Sequence, residues 1–217
     1  MPSKRTKKTI KALFQSVKGM HDILPFEQPH WDKIRKTVKE LADYYNYHRI
    51  DTPIVERAEL FEKTSGESSE IVEKQMFVFK DKDGNRLTLR PEGTAAICRA
   101  YIEHGLSHLP HPLKVYSIMP MFRYEQPQSG RTRQHHQVEF DIIGDDSDPV
   151  FDAQIILTTY RLAEELKIPK LTVQINSIGC RSCRPIYKKK LADYYKNQDS
   201  CKDCKRLNSL SSRSFIT

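Results

Sequence analysis

The chain has 217 residues, of which 36 are lysine or arginine and 28 are aspartate or glutamate, giving a formal net charge of +8. A hydrophobic content of 38% is enough for one substantial core. The sequence has no apolar run near the roughly 20 residues of a membrane span, and its basic start lacks the apolar segment of a signal peptide. Composition thus excludes a membrane protein, predicts a cytoplasmic location and suits a polyanionic partner such as RNA.

The first third of the chain predicts a tail, a helix and an interrupted strand. Residues 1–17 form a basic tail that is predicted to be flexible. Over residues 28–45 apolar side chains recur every three or four positions, which predicts a helix. Residues 49–55 predict a strand that Pro53 interrupts. Because proline lacks the N–H of a central ladder, we expect Pro53 at an edge or an interface.

The rest of the chain predicts hairpins flanked by helices. Residues 76–90 indicate a β-hairpin with Asp83-Gly84 in its turn. The later patterns predict a helix over residues 93–105, strands over 113–125 and 134–143, a helix over 149–166 and a strand over 171–178. The absence of regular β-α-β alternation indicates an α+β fold with an antiparallel sheet. Cys98, on the first of these helices, is predicted to be buried.

A loop between the two longest predicted strands is rich in arginine. Arg131 and Arg133 lie in this loop close to Gly130, and Arg123 precedes it on the first strand. Planar guanidinium groups bind phosphate oxygens bidentately, so the arrangement suits a triphosphate. An ordinary hairpin with a charged turn is the alternative that the pattern leaves open.

The same two strands each present one polar and one apolar face. Arg123 and Glu125 alternate with aromatic residues on the first strand. Gln137, Glu139 and Asp141 alternate with apolar residues on the second. The alternation therefore places these last three side chains on one side of the sheet.

Several short motifs resemble those of histidyl-tRNA synthetases, a class II family. They also follow one another in the same order as in that family. Residues 122–137 resemble motif 2, LRPEGTA at residues 89–95 resembles the substrate loop, and Pro53 resembles the motif 1 proline. Residues 18–25 and 70–79 also match, so the resemblance runs from about residue 17 to about residue 209. It implies an incomplete class II antiparallel sheet flanked by helices. It also implies ATP-dependent activation of histidine, with Mg²⁺, and transfer to tRNA(His).

The resemblance implies a role for individual residues. Arg123 would be the catalytic arginine that holds the α-phosphate and the histidine carboxylate, where charge develops in the transition state. The other ATP contacts would come from Glu125, Arg131 and His135, and the other histidine contacts from Glu92, Thr94, Gln137 and Asp141. Two positions depart from the family pattern, because His135 replaces the usual phenylalanine and Asp141 a common glutamate. An imidazole can still stack on adenine, and aspartate keeps the charge with a shorter reach.

Two cysteine pairs follow the predicted core. Cys180 with Cys183 and Cys201 with Cys204 give a C-x2-C-x17-C-x2-C spacing. Each pair can bring two sulfurs onto one ion, so the spacing predicts a structural zinc site in an insertion over residues 179–209. Reduced free cysteines are the alternative. Residues 18–178 would form the catalytic core, and residues 210–217 a disordered tail.

The later parts of the family have no counterpart in the sequence: motif 3, the histidine loop and the anticodon-binding domain. We therefore expect a truncated portion of the synthetase that does not charge tRNA by itself. The resemblance also implies a homodimer through the helix of residues 28–45 and the strand at Pro53. Two other functions fit the sequence. One is a histidine-sensing regulatory subunit of ATP phosphoribosyltransferase, and the other is a stand-alone, zinc-stabilised RNA-binding module.

Overall fold

The computed structural model describes residues 15–65, 75–144, 148–176 and 179–196. The chain divides into two units, Met1–Leu171 and Thr172–Thr217. In the first unit the described helices are α1 (Gln28–Tyr44), α2 (Ala58–Ser65), α3 (Thr94–Glu103) and α4 (Val150–Glu165), and the described strands are β1 (His48–Arg49), β2 (Val55–Arg57), β3 (Phe77–Lys80), β4 (Arg86–Leu89), β5 (Leu113–Phe122) and β6 (Gln134–Ile143). The second unit contains α5 (Cys183–Lys196). Residues 1–14 and 210–217 of the two predicted tails lie outside the described residues.

The first sheet has the order β1-β5-β6 and is built around one long hairpin. Strands β5 and β6 pair antiparallel along their full length, from Leu113 opposite Ile143 to Phe122 opposite Gln134. The short β1 joins the other edge of β5 in parallel. The two strands predicted at residues 113–125 and 134–143 are confirmed, but the first ends at Phe122. Arg123 and Glu125 therefore lie just beyond the strand rather than on it.

The second sheet has the order β2-β4-β3 and is antiparallel throughout. Its β3–β4 pair confirms the hairpin predicted at residues 76–90. The turn is fixed by Asp81, whose carboxylate accepts hydrogen bonds from the backbone N–H groups of Asp83 and Asn85. Gly84 has a φ of 83°, a left-handed conformation that glycine adopts without strain.

The prediction of one strand over residues 49–55 is wrong. The segment forms β1 in the first sheet and β2 in the second, with Thr52 and Pro53 between them. The backbone carbonyls of Thr52 and Pro53 accept hydrogen bonds from the guanidinium group of Arg90, at 2.6 and 3.3 Å. These carbonyls therefore bond to a side chain instead of a neighbouring strand, and the chain passes from one sheet to the other.

Strand β5 is covered on both faces. On one side Tyr116 packs with Val38, Ala42 and Tyr47, and on the other Met119 and Met121 pack with Ile97 of α3. In helices α1 and α3 the apolar residues recur at helical spacing, so they form one apolar face on each helix. That face packs against the sheet. Strand register then places the odd-numbered positions of β6 on the α3 side, since Met119 pairs with Gln137 and Ser117 with Glu139.

The helices predicted at residues 28–45, 93–105 and 149–166 are confirmed within one to two residues at each end. The strand predicted over residues 171–178 is wrong for residues 171–176, which form no strand, and residues 177–178 lie outside the described chain. A strand requires a ladder partner, and Val173 and Ile175 are instead 49% and 77% exposed. Among the described helices, none has the length and apolar character needed to cross a membrane.

Candidate active site

The end of the β5–β6 hairpin is held by three segments of the chain. The N–H of Arg123 donates to the carbonyl of Arg133 at 2.8 Å, which extends the hairpin by one step. The N–H groups of Arg133 and Gln134 donate to the carbonyl of Gly19, at 2.8 and 3.2 Å. The N–H of Tyr124 donates to the carbonyl of Gln75 at 2.7 Å. The arginine-rich loop therefore begins and ends at fixed points.

Arg123 is tied to the loop that precedes α3. Its Nε atom donates a hydrogen bond to the carbonyl of Pro91 at 2.9 Å, and its side chain is half-buried. The bond uses the Nε edge of the guanidinium group, and that group carries five N–H donors. The remaining donors can take a further acceptor such as a phosphate oxygen.

Glu125 and Arg131, both of which were predicted to contact ATP, lie next to each other. A guanidinium nitrogen of Arg131 lies 3.7 Å from a carboxylate oxygen of Glu125, and the Arg131 side chain is 67% exposed. An exposed ion pair of this length contributes little to stability, so the two side chains can separate at small cost. Arg133 points elsewhere, because its guanidinium carbon lies 4.0 Å above the ring of Tyr124.

His135 faces the same side of the sheet as Gln137, Glu139 and Asp141. Burial is the main cause that lowers its pKa, and the nearby positive charge of Arg123 lowers it further. The imidazole is therefore favoured in its neutral form, which can stack on an aromatic base. The effect of Arg123 also shows that the predicted adenine contact and the predicted phosphate contact are close in space.

The loop from Pro91 to Thr94 ends at the N-terminus of α3. The carboxylate of Glu92 accepts a hydrogen bond from the N–H of Ala95 at 3.1 Å, which satisfies one of the free N–H groups of the first helical turn. The N–H of Gly93 donates to Oε1 of Glu139 at 3.1 Å. A Cβ atom at position 93 would lie 1.8 Å from Oε2 of Glu139, so this approach requires glycine.

Three carboxylates, those of Glu92, Glu139 and Asp141, meet on this side of the sheet. Burial is the main cause that raises the pKa of Glu139 to about 7, and Asp141 and Glu92 add to the effect. Burial and the charge of Glu92 raise the pKa of Asp141 to about 6. Within the described structure, Oδ2 of Asp141 is buried and has no hydrogen-bond partner. The two causes that raise the pKa of Asp141, burial and the charge of Glu92, therefore both disfavour its ionised form.

The structure brings the predicted residues Arg123, Glu125, Arg131 and His135 to one end of the hairpin, and Glu92, Gln137 and Asp141 to the face beside α3. Thr94 is the first residue of α3 and is exposed.

Cys98, predicted to be buried, is exposed. Partial burial is the main cause that raises the pKa of its thiol, and the charges of Asp141 and Glu92 add to the effect. The apolar pattern of α3 did not reveal this exposure, because cysteine can occupy either a buried or an exposed position on a helix.

Glu139, Gly93 and Arg90 were not predicted to have a role in the site. Glu139 is only 8% exposed and accepts hydrogen bonds from Gly93 and from the hydroxyl group of Ser117. The alternation along β6 did place Glu139 on the same face as Gln137 and Asp141. That placement was the only indication in the sequence that Glu139 lies near the site. For Arg90 the sequence offered only its place beside Pro91.

The cysteine pair that the structure describes lies in the second unit. The Sγ atoms of Cys180 and Cys183 are 3.4 Å apart, and hydrogen bonding, led by the N–H of Cys183, lowers the pKa of the Cys180 thiol to about 6. Cys201 and Cys204 lie outside the described residues. Among the residues that are described, no group of three or more histidine, cysteine, aspartate or glutamate side chains could hold a metal ion.

Comparisons with known proteins agree on one family. The histidyl-tRNA synthetase family profile matches residues 19–182. The histidine–tRNA ligase of Dehalococcoides mccartyi is 47% identical over 195 residues, which cover 89% of this chain and 46% of the relative. That of Desulfitobacterium hafniense is 45% identical over 192 residues, which cover 88% of this chain and 45% of the relative. The apo histidyl-tRNA synthetase of Staphylococcus aureus superposes with a TM-score of 0.68 at 33% identity, covering 92% of this chain and 47% of that chain.

Helices flanking small sheets, with a long antiparallel hairpin that carries an arginine at its end, define a class II aminoacyl-tRNA synthetase fold. Within that class, the chain belongs to the histidyl-tRNA synthetase family. It spans about half the length of the curated relatives that it matches, because the matched region is 46% of the D. mccartyi protein.

Proposed function

We propose that this chain provides the ATP site and part of the histidine site of a histidine–tRNA ligase. In the first step a carboxylate oxygen of histidine bonds to the α-phosphorus of ATP, and pyrophosphate leaves. In the second step a hydroxyl group at the 3′ end of tRNA(His) bonds to the carbonyl carbon, and AMP leaves. Arg123 is the residue that stabilises the negative charge on the α-phosphate during the first step.

The observation that carries this proposal is the group of carboxylates formed by Glu92, Glu139 and Asp141 on the β6 face beside α3. A buried carboxylate oxygen without a partner costs free energy, and a positively charged ligand would remove that cost. The α-amino group of histidine has the required charge, and Glu92, Thr94 and Asp141 would receive it. Gln137 lies on the same strand face, and the family resemblance implies that it also contacts histidine.

The residues that would bind ATP lie at the end of the β5–β6 hairpin. Within the described residues Arg123 makes one side-chain hydrogen bond, through Nε, so its other guanidinium donors suit the α-phosphate. Arg131 has an exposed side chain that suits the γ-phosphate. Glu125 would accept a hydrogen bond from the adenine amino group once its weak ion pair with Arg131 opens. His135 would stack on the adenine ring. Mg²⁺ would arrive with the nucleotide, because it binds phosphate oxygens and retains several waters.

The proposal is tested by ATP binding to the purified chain and by its loss in Arg123→Ala. We expect weak binding by the unaltered chain and histidine-dependent pyrophosphate exchange near background. Histidine binding without ATP binding would instead support the regulatory subunit. Binding of tRNA alone would support the RNA-binding module.

Affinity for histidine should rise as the pH increases from about 5.5 to 8, because the carboxyl groups of Asp141 and Glu139, with pKa values of about 6 and about 7, must ionise to attract the amine.

We propose that Cys180, Cys183, Cys201 and Cys204 bind one structural zinc ion. Two sulfurs on a tetrahedral zinc ion, each at about 2.3 Å, lie about 3.8 Å apart. The 3.4 Å between the Sγ atoms of Cys180 and Cys183 is close to that spacing, so the described pair fits half of such a site. The lowered pKa of Cys180 favours the thiolate that zinc requires.

Metal analysis tests the zinc proposal. Protein purified without chelator should contain about one zinc per chain, because four thiolates complete a tetrahedral structural site. Cys180→Ser should lose the metal, and Cys98→Ser, which alters a cysteine outside the two pairs, should keep it. A chain that contains no zinc, or a Cys180→Ser variant that retains a full equivalent, would show that the cysteines are free thiols.

We further propose a cytoplasmic homodimer that binds tRNA(His). Helix α1 and the segment at Pro53 would face the second subunit, as the family resemblance implies. Support comes from the apolar residues Ile54, Val55, Val78 and Phe79, which are between 41% and 45% exposed. Sedimentation at micromolar concentration should give a dimer, and a monomer free of aggregation would contradict it. The surplus of positive charge suits the tRNA backbone.

A further inference from the structure

Arg90 is a charged residue inside the core of the first unit. It is 2% exposed, and burial lowers its pKa. Its guanidinium group donates to three backbone carbonyls, those of Thr52 at 2.6 Å, Pro53 at 3.3 Å and Pro120 at 2.9 Å. The same group also contacts the hydroxyl group of Thr52 and the sulfur of Met119. One side chain thus joins strand β5 to the segment between β1 and β2.

The backbone of Arg90 makes two more connections between the same parts of the fold. Its N–H donates to the carbonyl of Ile54 at 2.9 Å, and its carbonyl accepts from the N–H of Phe122 at 3.0 Å. The next carbonyl along the chain, that of Pro91, accepts from Nε of Arg123 at 2.9 Å. Arg90 is therefore one residue from the acceptor that orients the Arg123 guanidinium group.

Burying a guanidinium group is costly unless its donors are satisfied, and a well-packed apolar side chain often gives equal or greater stability. Stability alone thus does not explain why an arginine occupies this position. Its planar fork of donors can, however, hold several carbonyls at fixed angles, which an apolar side chain cannot do.

We propose that Arg90 is a positioning residue for the proposed reaction. It fixes the Pro91 carbonyl, and through it the Arg123 guanidinium group, relative to the Thr52–Pro53 segment. Because Pro53 lies in the segment that we expect to face a second subunit, Arg90 also links that segment to the phosphate-binding arginine. The inference rests on the proposed function for its consequence in catalysis, but the placement of Arg123 can be measured without any ligand.

The test compares Arg90→Lys with Arg99→Lys in the whole 217-residue chain. Arg99 is a matched control because its side chain is also mostly buried, and it bonds to Glu56 and Glu103 instead of the Pro91 loop. Two quantities are measured at a temperature where thermal unfolding shows each variant to be folded. The first is the rate at which the Nε–H proton of Arg123 exchanges with water in ¹⁵N-labelled protein, with its signal assigned through Arg123→Lys. The second is the affinity for ATP.

In Arg90→Lys we expect the exchange rate to rise by about tenfold, the size expected when a charged donor loses a hydrogen bond. ATP affinity should fall by less than in Arg123→Ala, because the phosphate-binding arginine is still present. Arg99→Lys should lower the melting temperature and leave both quantities unchanged. Equal exchange rates in Arg90→Lys and the unaltered chain would overturn the inference. Failure of the unaltered chain to bind ATP would instead overturn the proposed function, while the exchange rates would still decide the role of Arg90.

A second variant covers the case in which Arg90→Lys does not fold. Thr52→Val combined with Met119→Leu removes the two side-chain acceptors of the guanidinium group and keeps all three carbonyls. Met119→Leu nearly conserves volume. Thr52→Val keeps the branched shape and replaces the hydroxyl group with a methyl group, so the core should remain packed. We expect a smaller rise in the exchange of the Arg123 Nε–H, and an unchanged rate would again contradict the positioning role.

Discussion

Replacing Gly93 with alanine is expected to destabilise the protein by about 3 kcal/mol, which combines a steric cost with the cost of a disturbed buried hydrogen bond. The added Cβ would lie 1.8 Å from Oε2 and 2.6 Å from Cδ of Glu139. Glu139 is 8% exposed, and Gly93 and Ser117 both donate to its carboxylate, so it has little freedom to move away. The measurement is the free energy of unfolding in urea.

A double variant separates the steric effect from the backbone effect. Gly93 is the N-cap of α3 with a φ of −106°, which alanine can adopt, although alanine is a poorer cap by about 1 kcal/mol. Glu139→Ala removes the atoms that would clash. Gly93→Ala should therefore cost much less in a Glu139→Ala background than in the unaltered chain. Equal costs in the two backgrounds would show that Glu139 does not restrict position 93.

Replacing Arg123 with alanine is expected to remove detectable ATP binding. A hydrogen bond to a charged group contributes about 1.5–3 kcal/mol, which corresponds to roughly a tenfold to hundredfold change in affinity. Because the unaltered chain should bind weakly, such a loss places the variant below detection. Arg123→Lys should lose nearly as much, since an ammonium group cannot bind a phosphate bidentately. Equilibrium dialysis with labelled ATP measures the effect.

Arg161→Ala serves as the control for Arg123→Ala. Arg161 lies on the exposed side of α4, where it pairs with Glu164, so its loss changes the net charge equally without altering the hairpin. Arg123→Ala also removes the hydrogen bond to Pro91, which should lower stability by about 1 kcal/mol. Both variants should therefore remain folded. Undiminished ATP binding by Arg123→Ala, or equal losses in both variants, would remove Arg123 from the site.

The regular elements of the fold were predictable because their signals are local. The spacing of apolar residues along α1 and α3, the turn at Gly84 and the alternation along β6 each depend on neighbours within a few positions. The same alternation placed Gln137, Glu139 and Asp141 on one face. The order of the short motifs indicated the family. The resemblance then implied a specific role for Arg123, for which the arginine pattern alone indicated only phosphate binding.

Other features depend on residues that are far apart in the sequence, and only the tertiary structure decided them. Glu139 bonds to a glycine 46 positions away, and Arg90 to carbonyls 30 to 38 positions away. No local pattern encodes such pairs, because the energy of a buried charge depends on which distant groups surround it. For the same reason the sequence predicted one strand across Pro53, where the side chain of Arg90 binds two carbonyls and the chain passes between two sheets.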